Sequence, residues 1–436
     1  MMKNKKSLDK FKKSGISKHK LKNVFLDNAV LILFVFTCGI GLLYADQPVN
    51  YIVNQVTTRF FRNIVLVLSL IVPVWAGMGL NFSIVVGAMS AQAGMIISLN
   101  YDISGVIGIL LAFFTGALIA AFLGFLTGKL FNHTKGQEMI TGMILGFFAN
   151  GIYQLVFMYL CGPVFPIRNE NILLPNGIGI NGIITLDQSL GGALDKLWML
   201  TLDKVLWVVI IIFTAYYLVR LLKAVIKKAP RTFVRNYLPF ILLGASSLLL
   251  YLFSNYWEAF ISTSIFTSIP MITALIAGIV CLFITFLGNT KLGSDIKAVG
   301  QSMPIARAAG INVEKTRIIA IVFSTVIAAI GQVIYLQNLG TLTTYSAADQ
   351  IGTFSVAALL VGGASIIKAN IGHAVLGTIL FHLMFIVAPI AGKNIFGDAQ
   401  IGEYFRVFVS YAVIAVSLAL HAWTNQIKTS GKNKTE

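Results

Sequence analysis

The chain has 436 residues, 57% of them hydrophobic and only 11% charged, with a formal net charge of +17 and a mean hydropathy of +0.83. Soluble domains carry about 25% charged residues, so this composition excludes a soluble globular protein and predicts a polytopic membrane protein. The basic excess falls in loops and tails, as the positive-inside rule produces, and requires no nucleic acid partner.

The first 23 residues hold nine lysines and read as a basic cytoplasmic tail. The apolar run at 24–45 makes about 33 Å of helix, enough to span a bilayer, and reads as a retained first span rather than a cleaved signal. After an external segment at 46–62, further spans are expected at 63–80, 82–99 and 103–129. The loop at 133–137 is then cytoplasmic, and 138–161 crosses outward. Residues 162–203 contain Pro163, Pro166, Pro175 and several glycines, the composition of turns rather than of one long helix. Residues 204–253 read as an extra helical hairpin, joined by a loop bearing Arg220, Lys223, Lys227, Lys228, Arg231 and Arg235 and no acid. Spans at 269–287, 318–336, 354–367, 371–391 and 403–423 complete the weave and leave 425–436 as a second cytoplasmic tail. The expected fold is all-α and polytopic, with about ten to twelve transmembrane helices over residues 24–424.

Two segments are too short and too glycine-rich for ordinary spans: WAGMGLNFSIVVGAMSAQAG at 75–94 and LLVGGASIIKANIGHAVLG at 359–377. They read as broken or re-entrant helices beside a translocation path, or as tight hairpins without a transport role. Asn81, Ser83, Ser90 and Gln92 cluster in the first of them. Gly116, Ala120, Gly124 and Gly128 form a small-every-fourth face, continued by Gly142 and Gly146, which lets helix backbones approach closely in lipid. Cys38, Cys161 and Cys281 are isolated, with neither metal-ligand nor disulfide spacing, and no cofactor or metal is expected.

Between two apolar runs lies a polar stretch, residues 289–317, with helical patterning of its own. Ile296, Val299, Met303 and Ala306 recur on one helical face, and Lys297, Arg307, Lys315 and Arg317 make the stretch basic. Such an element docks on a partner or lies along the lipid surface. Ionisable residues otherwise fall at loops or span ends, Asp102, Glu138, Glu258, Asp349 and Lys368 among them, and His382 is the main exception. A self-powered carrier normally needs charged groups inside the membrane. The nearest thing to a phosphate loop, Gly124 to Leu130, has the wrong glycine spacing. No catalytic constellation is visible, which leaves a passive pathway driven from outside.

Ala298-Val299-Gly300 followed by ARAAGINV at 306–313 resembles the cytoplasmic coupling loop of ABC importer permeases of the branched-chain amino acid, ribose and nucleoside branch. GLNFSIVVGAMSAQAG resembles the glycine-rich segment of that branch. Residues 136–163 resemble a segment of its nucleoside permeases, and VAALLVGGASIIKANIGHAVLGTILF resembles its closing segment. The chain departs from the pattern in lacking the family's first loop acid, with Asn81 in the Asp/Asn position, and in carrying Lys297 for the usual Arg, Gln301-Ser302-Met303 in place of an Asn, and the extra hairpin.

The resemblance implies a bacterial cytoplasmic-membrane protein with both termini in the cytoplasm, importing a small polar solute such as a nucleoside, purine-like compound or sugar. It implies a second permease subunit, identical or homologous, separate ABC ATPase subunits, and an extracytoplasmic substrate-binding protein. Ile296, Val299, Gly300, Met303, Ala306, Arg307 and Gly310 would form the ATPase-coupling element. Asn81, Ser83, Gln92, Asn150, Gln154 and Gln332 are expected to line the substrate path. The alternatives are an ion-coupled secondary carrier working without an ATPase, or an exporter or channel component without a binding protein.

Overall fold

The computed structural model describes residues 29–202, 204–205 and 267–432. The basic tail at 1–23, nearly all of the expected hairpin at 204–253, Glu258 and the last four residues lie outside the described residues. The described chain is helical, with two short antiparallel ladders. In chain order the helices are α1 (Ala29–Ala45), α2 (Val49–Leu68), α3 (Ile71–Trp75), α4 (Ile84–Asn100), α5 (Gly105–His133) and α6 (Glu138–Leu155). They continue with α7 (Met271–Asn289), α8 (Lys291–Gln301), α9 (Met303–Ala308), α10 (Val313–Leu339), α11 (Ile351–Val361), α12 (Ile371–Phe396) and α13 (Ala399–Lys432).

Among the described residues six helical runs are long and apolar enough to cross a membrane: Val49–Trp75, Gly105–His133, Glu138–Leu160, Met271–Asn289, Val313–Leu339 and Ile371–Phe396. The protein is therefore an all-α, multi-pass membrane protein. Its exposed surface includes Phe114, Phe122, Phe147, Leu282 and Phe286, side chains that lipid accepts without cost.

Two groups of helices share the core. α10 packs most extensively against α5 and α4, while α12 packs against α13, α1, α11 and α2. The small-residue face of α5 explains the first group. A methyl added at Gly116 would stand 3.2 Å from the Ala91 backbone, and one at Gly124 only 2.1 Å from the Thr325 hydroxyl. Glycine here lets three helices approach to backbone distance, where dispersion and weak polar contacts hold helices together in lipid.

Both expected interruptions are present. α3 stops at Trp75, residues 76–83 unwind through left-handed Gly77 and Gly79, and α4 begins at Ile84. Residues 362–370 likewise separate α11 from α12, with Gly363 left-handed.

Other boundaries differ from the sequence expectation. The segment at 46–62, expected as an external loop, is mostly helix, because α2 starts at Val49. The three-residue spacing of Arg59 and Arg62 puts them on one helical face, and that face turns inward onto a polar cavity. α13 runs on to Lys432, past the expected end at Trp423.

The turn-rich residues 162–202 cover the end of the bundle opposite α8 and α9. Strand β1 (Ile183–Thr185) pairs there with β4 (Thr341–Thr343), which directly follows α10. Strand β2 (Met199–Thr201) pairs with β3 (Ser268–Pro270), so that Thr201 and Ser268 face each other across the ladder.

Candidate functional site

The polar stretch at 289–317 folds as two short helices rather than one. Thr290 caps α8, its hydroxyl accepting a hydrogen bond from the Gly293 amide at 3.2 Å. Ser302 is extended, with φ −162°, and α9 restarts immediately after it. Pro304 is the cause: inside a continued helix it would lack the amide hydrogen and crowd the carbonyl four residues back, whereas it is accommodated in a first turn. Gly310, at φ +81°, ends α9 in the left-handed conformation.

The apolar face is turned inward despite the break. Ile296 packs with Val72, Met78, Phe131 and Leu287, while Val299, Ala306 and Val313 form a separate cluster flanked by Met303 and Ile311. This face is thus covered by the chain itself. The outer crest of α9 is different in character: Ile305 is 71% exposed, and Arg307 and Gly310 are exposed beside it.

Gly300 joins this element to the first helix break. A methyl at Gly300 would lie 2.1 Å from the Trp75 carbonyl oxygen, and one at Gly77 would lie 2.7 Å from the Gly300 Cα. The Lys297 ammonium stands 4.6 Å from the Trp75 ring centroid and donates to the Gly288 carbonyl at 2.7 Å. Trp75 in turn donates its indole N–H to the Ala369 carbonyl at 2.9 Å, within the second break. A movement of α8 therefore bears directly on one broken helix and, through a single side chain, on the other.

A buried ion pair reinforces the same place. Arg317 Nη2 meets Glu138 Oε1 at 2.5 Å and the Phe131 carbonyl at 3.0 Å. Sequence reasoning placed Glu138 at a span end and so missed the pair; the partner lies 179 positions away and leaves no local pattern.

The expected path residues fall in three places. Asn81 and Ser83 lie in the first break, where Asn81 Oδ1 accepts from the Ser83 amide at 3.1 Å and from its hydroxyl at 2.5 Å. The Asn81 amide reaches the Ser324 hydroxyl on α10 at 3.2 Å. Gln92 and Gln332 are fully buried, and neither side-chain amide has a hydrogen-bond partner among the described residues. The contacts of Asn81 with Ser324 and of Gly87 with Thr325 and Ala328 set the register of α4 beside α10. That register brings the two glutamines to one level. Asn150 and Gln154 stand apart on α6: Asn150 donates to Asp349 Oδ1 at 3.0 Å and accepts from Gln154 at 3.4 Å, beside a cavity of about 280 Å³. Ser90 spends its hydroxyl on the Val86 carbonyl of its own helix.

A family model described as branched-chain amino acid transport system / permease component matches residues 192–420, more than half of the chain. The chain belongs to this family. Within it, the chain is similar to the nucleoside ABC transporter permease protein NupC of Lactococcus lactis subsp. cremoris, 30% identical over 155 residues, which are 35% of this chain and 46% of that protein. The NupB permease of the same organism is 26% identical over 170 residues, 38% of this chain and 43% of that protein. The fructose import permease protein FruG of Bifidobacterium longum is 31% identical over 128 residues, 28% of this chain and 35% of that protein. Each match therefore spans less than half the length of the curated relative. No solved structure matches this permease-family chain.

Proposed function

We propose that the chain is the membrane-spanning subunit of an ATP-driven importer for a small polar solute, of nucleoside, purine-like or sugar type. ATP is hydrolysed on separate ABC ATPase subunits, and the chain itself carries no enzymatic site. The family supports the transport role, and relatives named for nucleoside and fructose transport support the solute class. In this reading the chain sits in the bacterial cytoplasmic membrane with both termini inside, pairs with a second permease subunit, and receives solute from an extracytoplasmic binding protein. The β2–β3 ladder pairs Thr201 with Ser268, so the chain leaves and rejoins the described fold at one place, which supports reading the segment at 204–253 as an inserted hairpin within one transmembrane domain.

The observation that carries the coupling role is the backbone contact of Gly300 with Trp75 and Gly77. It divides the work among the coupling residues. Ile296, Val299, Gly300, Met303 and Ala306 fix the element to the helix breaks, while Ile305, Arg307 and Gly310 meet the ATPase. ATP-driven closure displaces α9 and α8, and the displacement reaches Asn81 and Ser83 through residues 75–83.

The test is Ile305→Asp, at a position whose side chain is 71% exposed. The variant is expected to insert and fold normally in membranes, and to lose both ATPase co-purification and solute uptake. Normal uptake by Ile305→Asp would refute the docking role. Reconstitution of the chain alone in liposomes addresses the alternative, since uptake driven by a proton or sodium gradient without ATPase would make it an ion-coupled carrier.

A further inference from the structure

A cavity of about 320 Å³ between α2, α10, α11, α12 and α13 takes no part in that coupling, and its chemistry differs from that of the expected path. Arg59 and Arg62 enter it from α2, near the middle of the apolar run Val49–Trp75, and Arg406 enters from α13. An arginine at mid-membrane costs about 2.5–3.5 kcal/mol even on insertion-based scales, and such residues characteristically mark a ligand or ion pathway. Three of them in one cavity repel one another unless something negative is shared.

The described residues supply part of that negative charge. Arg406 pairs with Glu403. Arg62 Nε donates to Asn338 Oδ1 at 2.7 Å, and the Asn338 amide donates to buried Asp195 at 2.6 Å, so this acid is hydrogen-bonded to Arg62 only through an intermediary and offsets its charge in part. The Arg59 guanidinium makes neither a hydrogen bond nor an ion pair among the described residues. Among the described residues no carboxylate lines the cavity. A second observation points the same way. His382 lines the cavity, is only 8% exposed, and its Nδ1 has no hydrogen-bond partner among the described residues. The hydroxyls of Tyr335, Ser346 and Ser355 belong to the same wall.

We propose that this cavity binds a phosphate group, carried by a small solute or by a lipid headgroup. With Arg406 offset by Glu403 and Arg62 in part by Asp195, about one to two positive charges remain, which suits a phosphate group: a monoester carries about −1.5 to −2 and a lipid phosphodiester a single charge. Guanidinium forks suit its oxygens, and His382 Nδ1 donates to one of them. Phe354 and Phe385 provide an apolar wall for whatever the phosphate is attached to.

The experiment uses the full chain in nanodiscs. In phosphatidylcholine discs, inorganic phosphate and adenosine monophosphate are titrated while thermal unfolding is followed. In discs containing phosphatidylglycerol, lipid retained on the purified protein is measured by native mass spectrometry. Arg59→Gln is the informative variant, because its guanidinium supports no described contact; its unfolding temperature without additive verifies that it folds. Wild type is expected to show saturable protection or retained anionic lipid, weakened about tenfold by Arg59→Gln and largely restored by Arg59→Lys. Protection by the soluble phosphates assigns the site to solute, and retention of phosphatidylglycerol alone assigns it to lipid. If neither binds, or if Arg59→Gln binds both as wild type does, the proposal fails.

Discussion

Arg317 and Glu138 meet 2.5 Å apart with almost no exposure to solvent, tying the start of α10 to the start of α6 directly behind α9. Arg317 also donates to the Phe131 carbonyl, and Glu138 Oε2 accepts from the Gly136 amide at 2.9 Å. Among the described residues, every strong partner is thus supplied by the last turn of α5, the following loop, or the pair itself. Removing one member strands the other charge, which costs about 3–5 kcal/mol, whereas replacing both with apolar groups of similar volume is close to neutral. Glu138→Ala and Arg317→Ala are therefore expected to lower the unfolding temperature sharply. The double variant Glu138→Leu/Arg317→Met should recover most of the loss. Denaturation of all variants in one detergent measures this, and single substitutions without effect would mean that the pair is not held together.

Gly300 and Gly310 carry different constraints, and alanine separates them. Helix propensity favours alanine at Gly300 by about 1 kcal/mol, but the new methyl would meet the Trp75 carbonyl at 2.1 Å. Backbone on both sides leaves no flexible group to yield, so Gly300→Ala should cost about 3 kcal/mol net and displace residues 75–77. Gly310 has open space around it but a left-handed backbone, so Gly310→Ala should cost about 1–2 kcal/mol with no displacement. Equal losses of stability at the two sites would contradict the close contact. Under the proposed coupling, Gly300→Ala should also lower uptake per ATP hydrolysed.

Met303 shows how placement changes a test. From the repeat alone, Met303→Asp reads as a probe of partner docking. In the fold Met303 is half-buried, with its sulfur 3.6 Å from Arg317 Nη1. An added carboxylate there is expected to compete with Glu138 for the guanidinium, so the variant should alter stability and coupling together. Ile305→Asp should alter coupling alone, and the contrast is measured by thermal unfolding beside ATPase co-purification.

The features legible in the sequence were those carried by local pattern. The glycine-rich stretches at 75–94 and 359–377 signalled helix breaks because glycine accepts without steric cost the left-handed backbone found at Gly77, Gly79 and Gly363. The small-residue face of α5 signalled close packing because its period is helical. What remained hidden depends on distant partners. Arg59 and Arg62 have the composition of a loop until α10, α12 and α13 surround them with a cavity. Glu138 has the position of a helix terminus until Arg317 reaches it. The inward turn of Ile296 and Val299 was equally out of reach, because an apolar helical face does not state whether its own chain or a partner will cover it.

Gln92 and Gln332 offer the clearest separation of function from stability. Each is fully buried with an amide lacking a hydrogen-bond partner among the described residues, an arrangement that costs about 1–3 kcal/mol per group. Substitution by methionine keeps most of the volume and removes the penalty, so Gln92→Met and Gln332→Met should raise stability by about 1–2 kcal/mol each. The proposed path assigns these amides to the passing solute, whose hydroxyls or ring nitrogens would pair with them when the helices separate. The same variants should therefore lose most of their nucleoside or sugar uptake while folding better than wild type. Raised stability with unchanged uptake would remove both residues from the path, and lowered stability would mean that the amides are paired within the fold.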